Sequence, residues 1–434
     1  MFAHKPFSSI SKSPLATGVL MVMALVFVAA SGARAYYQYA EPTPGVFDWS
    51  KRGFSDFHNG AYYPALCFRD AINPYAAECM EAYPIARPTP PYSPFVFMLH
   101  LPLTLFSLQV ADFLFLLINA GILAAIAYLA IRCSRDESNS DPLGFGYGAF
   151  AFWLVFALVL ASRPGHITLF TGYFTAEMVL GSFLAIHFAR SKPWLSGIGL
   201  LLSSMKPTFV IPLGILMLFR MDFKALIWGA VLSSVFLAAG LLWLAQDGSL
   251  GEVIEGVKSG QQAHHDDETE LPVNTWTRTD LVGMTSKLLK AAPGDAVYLG
   301  MMVVLLIVPG IALFRLQRLN ISGAAGLSGA IISTSILLGI YHHTYDCLLL
   351  IVPWVGIAMY GTCEGMKSSE RWAVGMMMAV VAGNYLSTKA ARGLLGFEQT
   401  DFGWTAITLL NGICILLSLL ILLRIAFRLE SKTT

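Results

Sequence analysis

Apolar runs of helical length recur from one end of this chain to the other, cut by short turns that carry basic residues. The pattern predicts membrane spans near 14–35, 110–131, 144–161, 172–188, 194–205, 207–219, 224–245, 296–314, 321–340, 347–361, 372–386 and 403–423. Several are shorter than the ~20 residues a perpendicular helix needs, so tilted, broken or extended helices are expected. The stretch 93–107 is apolar too, but short and flanked by proline. It reads as a juxtamembrane or re-entrant helix rather than a span. Two long polar loops interrupt the series, 36–109 and 246–295. A loop as long as the first, with acidic, aromatic and proline content, exceeds what a connector needs.

Composition agrees with the pattern. Of 434 residues, 56% are hydrophobic and 13% charged, about half the charge share of a soluble protein. The expected fold class is therefore an all-α polytopic membrane protein, with 1–434 forming a single integral membrane unit. A net charge of +1, with no basic patch beyond what topology requires, excludes nucleic acid as a partner.

Charge orients the bundle. With the N-terminus inside, the cytoplasmic turns receive Lys5, Lys12, Arg132, Arg135, Arg190, Lys192, Arg220, Lys224, Arg315, Arg318, Lys367, Arg371, Arg424, Arg428 and Lys432. That is the positive-inside distribution for twelve spans with both ends inside. Counting 93–107 as a span would move every later pair outside. The first span ends in Ala33-Arg34-Ala35, which mimics a signal-peptidase site; a retained anchor fits better, because Arg34 breaks the small-residue pattern and many spans follow.

This topology collects the polar chemistry on the non-cytoplasmic face. Asp56, in Ser55-Asp56-Phe57-His58-Asn59-Gly60, is a candidate general base; the competing reading is a solvated or helix-capping aspartate. Lys206 lies between two apolar half-length helices, where it either meets an anion such as phosphate or snorkels to the interface. His342 and His343 sit at a helix mouth with Tyr345 and Asp346. Adjacent residues cannot share one helix direction, so metal ligation by the pair is poor geometry, and donation to a phosphate or sugar or a structural role remains. Arg163 and His166 are either an anion site or topological. The run 264–270, rich in His, Asp and Glu, reads as a solvated charge run. Among six cysteines, Cys67 and Cys79 share the first loop and are either a disulfide or two free thiols. No P-loop, Ser-His-Asp signature or dinucleotide fingerprint occurs.

In order along the chain, Ser55-Asp56-Phe57 with Tyr62, Asn73-Pro74-Tyr75 and Pro90-Pro91-Tyr92, then Gly165-His166-Ile167-Thr168, then Lys206-Pro207, then His342-His343 with Tyr345 and Pro353 resemble glycosyltransferase family 87. These are polyprenol-phosphate-mannose-dependent enzymes of the GT-C superfamily. The family more typically carries Gly-Gln at the second landmark and a Ser-containing motif where Asn274-Thr275-Trp276 stands. The resemblance implies a GT-C-type transmembrane bundle with juxtamembrane helices in the first outer loop. It also implies inverting transfer of a sugar, commonly mannose, from a polyprenyl-phosphate donor to a glycolipid or glycan acceptor. Asp56 would be the base. Lys206, His342, His343 and Arg163 would meet the donor phosphate, and Asn59, Tyr62, Tyr92, His166, Asn274 and Tyr345 would hold substrate. No cofactor or metal is demanded, since the donor is itself a lipid substrate. The implied location is a bacterial inner membrane with a periplasmic active site. A pentose or glucose donor, a twelve-span transporter or lipid flippase, and a non-catalytic scaffold are the alternatives.

Overall fold

The computed structural model describes residues 8–39, 43–46, 51–87, 89–138, 141, 143–246, 249–266, 268, 270–363, 365–397 and 401–430, without the side chains of 264, 265 and 389. Lys5, Lys432 and much of the 264–270 run lie outside them. The described chain is helical, with no strand and only three isolated bridges.

The helices used below are α1 (Pro14–Tyr37), α2 (Leu108–Glu137), α3 (Ala149–Ala161), α4 (Arg163–Thr171), α5 (Thr175–Phe188), α6 (Pro193–Ser203), α7 (Pro207–Phe219), α8 (Phe223–Leu244), α9 (Leu281–Leu289), α10 (Asp295–Arg318), α11 (Leu327–Leu338), α12 (Ser368–Gly383), α13 (Lys389–Leu395) and α14 (Phe402–Arg428). Every expected span is met by a helix. The twelve-span count does not carry over. Among the described residues, five helices (α1, α2, α8, α10 and α14) are long and apolar enough to cross a membrane, or six if the bent pair α3–α4 is one span. Helices such as α6 and α11, with 11 and 12 residues, reach only about 17–18 Å at 1.5 Å per residue, against a hydrocarbon core of about 30 Å. Hydropathy finds such apolar half-helices, but length decides what can span.

Local chemistry explains the breaks. Ser162 takes extended backbone between α3 and α4, and its hydroxyl accepts from Gly165 N at 3.1 Å, so the chain restarts as a new helix bent by 69°. Gly165 is required there, because a Cβ would lie 2.0 Å from the Val159 carbonyl oxygen. Pro193 and Pro207 open α6 and α7, where a missing N–H costs nothing. α5 and α6 pack closely through Gly181 and Gly199, where side chains would strike the opposite backbone. Ser182 and Ser203 hydrogen bond at 3.1 Å across that seam.

The first loop folds onto the bundle. Residues 55–69 form one helical stretch, widened to a π turn over His58–Tyr62. Phe54 enters it with φ 56°, and its amide donates to the Phe170 carbonyl at 3.0 Å. Phe57 stacks on Phe115 at 4.2 Å, and His58 pairs with buried Asp112 at 2.7 Å, fastening the stretch to α2. A Cys67–Cys79 disulfide ties its end to the helix Ala77–Ala82. The apolar stretch expected as juxtamembrane is the short helix Phe95–His100 running into a 3-10 turn to Leu105, with His100 3.4 Å from Glu177 of α5.

Candidate active site

Asp56 sits in the first turn after Phe54, a position set by contacts on both sides. Gly172 (φ 71°) follows α4 so closely that a Cβ would come 2.7 Å from Phe57 Cβ. The Asp56 side chain is half-buried, with Arg52, Thr171, Arg87 and Glu270 around it. Burial pushes its carboxyl above the usual aspartate range, while Arg52, the Thr171 hydroxyl and Arg87 pull it back and Glu270 adds to the rise. Arg87 binds Glu270 at 2.9 Å, and the Tyr341 hydroxyl donates to the other Glu270 oxygen at 2.9 Å. Glu270 therefore departs from the solvated reading of its charge run: it belongs to this chamber.

Lys206 forms the opposite wall. It lies in extended backbone between α6 and α7, 4% exposed, its amine donating to Asp346 Oδ2 at 3.2 Å. The rings of Tyr173, Phe209, Tyr341 and Tyr345 surround the amine at 5.6–5.9 Å from their centroids. Each contributes cation–π attraction. Snorkelling is thereby excluded, since the amine points into a buried cage. Asp346 Oδ2 also accepts from the His343 amide at 3.0 Å and faces His342 Nδ1 at 3.1 Å.

The two histidines are not equivalent. His342 is 0% exposed, and its Nε2 faces the Thr208 carbonyl at 3.2 Å, so both ring nitrogens already meet acceptors. His343 stacks on Tyr345, and its Nδ1 meets the Thr277 hydroxyl at 2.6 Å. Its Nε2 has no partner among the described residues. Burial is the largest effect on its pKa, which falls to about 4, leaving the ring neutral at pH 7. The second long loop holds this turn in place: Thr279 N donates to His342 O at 2.9 Å, Thr344 N to Thr277 O at 2.8 Å, and Arg278 grips Asp280 through two bonds of 2.8 Å.

Tyr92 and Tyr345 join the two walls, each within electrostatic range of both Asp56 and Asp346. The Tyr92 hydroxyl bonds that of Tyr173 at 2.7 Å, and Ser93 N donates to Met205 O at 3.1 Å, which places the loop beside Lys206. Through Tyr92 and Tyr345 the fold thus sets Asp56 near the Lys206–Asp346–His343 cluster, and this grouping is the chamber. Other expected ligands are taken up by the fold. Asn59 bridges Ser55 O at 2.8 Å and Ala86 N at 2.7 Å; Tyr62 donates to Phe106 O at 2.8 Å; Asn274 donates to Glu268 O at 2.8 Å. His166 meets Arg34 of α1 at 2.7 Å, and Arg163 lies 5.9 Å from the Tyr385 ring within range of Arg34 and Arg52. These form a basic rim beside the chamber.

Sequence reading missed Arg52, Arg87, Glu270, Tyr173 and the role of Asp346. Only Asp346 carried a signal: it follows His342 by four residues, one helical turn. Two other features lie away from the chamber. Cys133, Glu137 and His187 bring ligand atoms within 4.8 Å of one another at the far end of α2. A groove of about 570 Å³ between α1 and α3, lined by Leu15, Val19, Phe150 and Leu154, is at the opposite end of α1 from Arg34.

The family comparison bears on this arrangement. The family model for glycosyltransferase family 87 matches residues 91–338, more than half of the chain. The chain belongs to glycosyltransferase family 87. Within the matched interval fall Tyr92, Arg163, His166, Lys206 and Asn274; Asp56 and the 341–346 turn lie outside it. Neither a curated protein nor a solved structure matches the chain. As a family 87 member with these apolar helices, it is a membrane glycosyltransferase.

Proposed function

We propose that this glycosyltransferase moves a sugar, commonly mannose in the family it resembled from sequence, from a polyprenyl-phosphate donor to an acceptor hydroxyl on a glycolipid or glycan. Asp56 takes the acceptor proton as the hydroxyl oxygen attacks the anomeric carbon. The bond from that carbon to the phosphate oxygen breaks with inversion, and polyprenyl phosphate leaves. A desolvated carboxylate with a raised pKa is a better base near neutral pH than a solvated one. The departing phosphate needs cationic and hydrogen-bonding partners. Lys206, with two donors left after Asp346, and the unpartnered Nε2 of His343 supply them. His342 orients Asp346 instead of touching substrate, and the Arg34–Arg163–His166 rim guides the anionic headgroup inward.

The observation that carries this reading is that Tyr92 and Tyr345 each stand within electrostatic range of both Asp56 and Asp346, the partner of Lys206, in a family 87 chain. A location at the outer face of a bacterial inner membrane is supported by the basic inner turns and by the Cys67–Cys79 disulfide, a bond favoured in oxidising compartments. The test uses purified protein in lipid, radiolabelled polyprenyl-phosphate-mannose and a membrane glycolipid extract. Label should pass to a new product with wild type and not with folded Asp56→Asn. Equal transfer by both would remove Asp56 from the mechanism, and transfer only from another polyprenyl-linked sugar would replace mannose.

A further inference from the structure

Lys287, in α9, lies outside the chamber just described. The residue is 8% exposed, and its amine has no hydrogen-bond partner among the described residues. A buried ammonium without an acceptor is costly, and such a group calls for water or an ion. Lys287 forms part of the wall of a small recess of about 20 Å³, together with Asn274, Thr275, Trp276, Trp404, Thr405 and Thr408. That is room for about one water-sized group. Other polar groups of the lining already have partners. The Thr408 hydroxyl donates to Thr405 O at 3.0 Å, the Thr275 hydroxyl faces that of Thr277 at 3.3 Å and the Asn274 amide donates to Glu268 O at 2.8 Å. This leaves the Lys287 amine as the group that calls for a ligand. Arg392 of α13 stands 5.6 Å over the Trp404 ring, adding a second cation nearby.

The charge balance points the same way. Asp280 is the acid facing Lys287, and its carboxylate is already gripped twice by Arg278. Arg278 is the other charged group within range and opposes the Lys287 charge, while Arg392 stands over the Trp404 ring of the recess. Burial lowers the Lys287 amine to about 8, so it is mostly charged at neutral pH. The recess also borders the strip 274–280, whose Thr277 and Thr279 hold the His342–His343 turn.

We infer that the Lys287 recess is a subsite for one oxygen of an anionic group, carboxylate or phosphate, borne by the acceptor. The assignment of the anion to the acceptor rests on the glycosyl-transfer reading; the anion site itself does not.

Trp276 and Trp404 supply a readout independent of activity. Iodide, a quenching anion, should give saturable loss of tryptophan fluorescence in the wild-type protein, relieved by inorganic phosphate. Lys287→Met and Lys287→Gln should lose the saturable component, Lys287→Arg should keep it, and it should fade as pH rises through about 8. Linear quenching that is identical in wild type and both neutral variants overturns the anion site. In transfer assays, Lys287→Met should raise KM about tenfold for acceptors bearing an acid group, with kcat and KM for neutral acceptors unmoved. An unchanged KM for acidic acceptors overturns the acceptor as the source of the anion. Absence of transfer by wild type with any donor would instead count against the enzyme reading and leave the fluorescence result standing.

Discussion

At the residue scale, Asp56 ties activity to instability. Its pKa is raised by burial, so folding favours the protonated form. The stability this provides is complete below the ordinary aspartate pKa and is lost as pH rises through the raised value. At neutral pH the ionised carboxylate therefore works against the fold. Asp56→Asn should cut transfer by about 10²–10⁴-fold, the usual worth of a positioned general base, while raising the melting temperature at pH 7. The stability difference should vanish in acid, which thermal scans across pH would check. The wild-type kcat/KM should rise with pH along a limb centred above the normal aspartate value. Asp346 behaves in the opposite way. It stabilises buried Lys206 through the 3.2 Å contact, so Asp346→Asn should cost about 3–5 kcal/mol, as for a broken buried pair. Lys206→Met/Asp346→Asn should cost less than the sum of the singles; strict additivity in thermal unfolding would show that the pair is not coupled.

At the element scale, the Asp56 turn depends on the return after α4. Gly172 holds φ 71° against the Phe57 Cβ, a conformation a side chain resists. Gly172→Ala should displace residues 54–57, lowering transfer while helical content by circular dichroism stays near wild type. Full activity would show that the turn tolerates the shift. The start of α4 was partly legible, since Ser162-Arg163-Pro164-Gly165 carries a capping serine, an early proline and a glycine. The 69° bend was not, because it brings Gly165 against the Val159 carbonyl, an approach that only the folded backbone shows. Likewise the family resemblance implied Asn59, Tyr62 and Asn274 as substrate ligands. Their farthest backbone partners lie 27, 44 and 6 residues away respectively, and only the folded loops reveal the longer connections.

At the scale of the whole molecule, the alternation of basic turns and polar loops predicts opposite exposure of the two ends. In intact cells an impermeant thiol reagent should label Ser249→Cys, in the second long loop, and spare Ser368→Cys, at the start of α12, until the membrane is opened. The reverse pattern would place the chamber inside. The expected count of twelve spans shows where a one-dimensional pattern stops: hydropathy locates apolar helices without stating whether two half-helices make one crossing.

The sequence by itself determined the membrane-helical class, a helix under each expected span and the family, because apolar periodicity, proline and glycine breaks and ordered motifs are local properties. The helices at 163–171, 250–266 and 281–289 fell in stretches that read as polar turn or loop. It also marked Asp56, Lys206 and the adjacent histidines as candidates. The tertiary structure alone decided which of these meet. It set Lys206 on Asp346 140 residues away, gave His342 an internal role and His343 an open nitrogen, and brought Glu270 out of an apparently solvated run. The reason is physical: burial and partner choice depend on which distant segments pack together, and no local pattern records that.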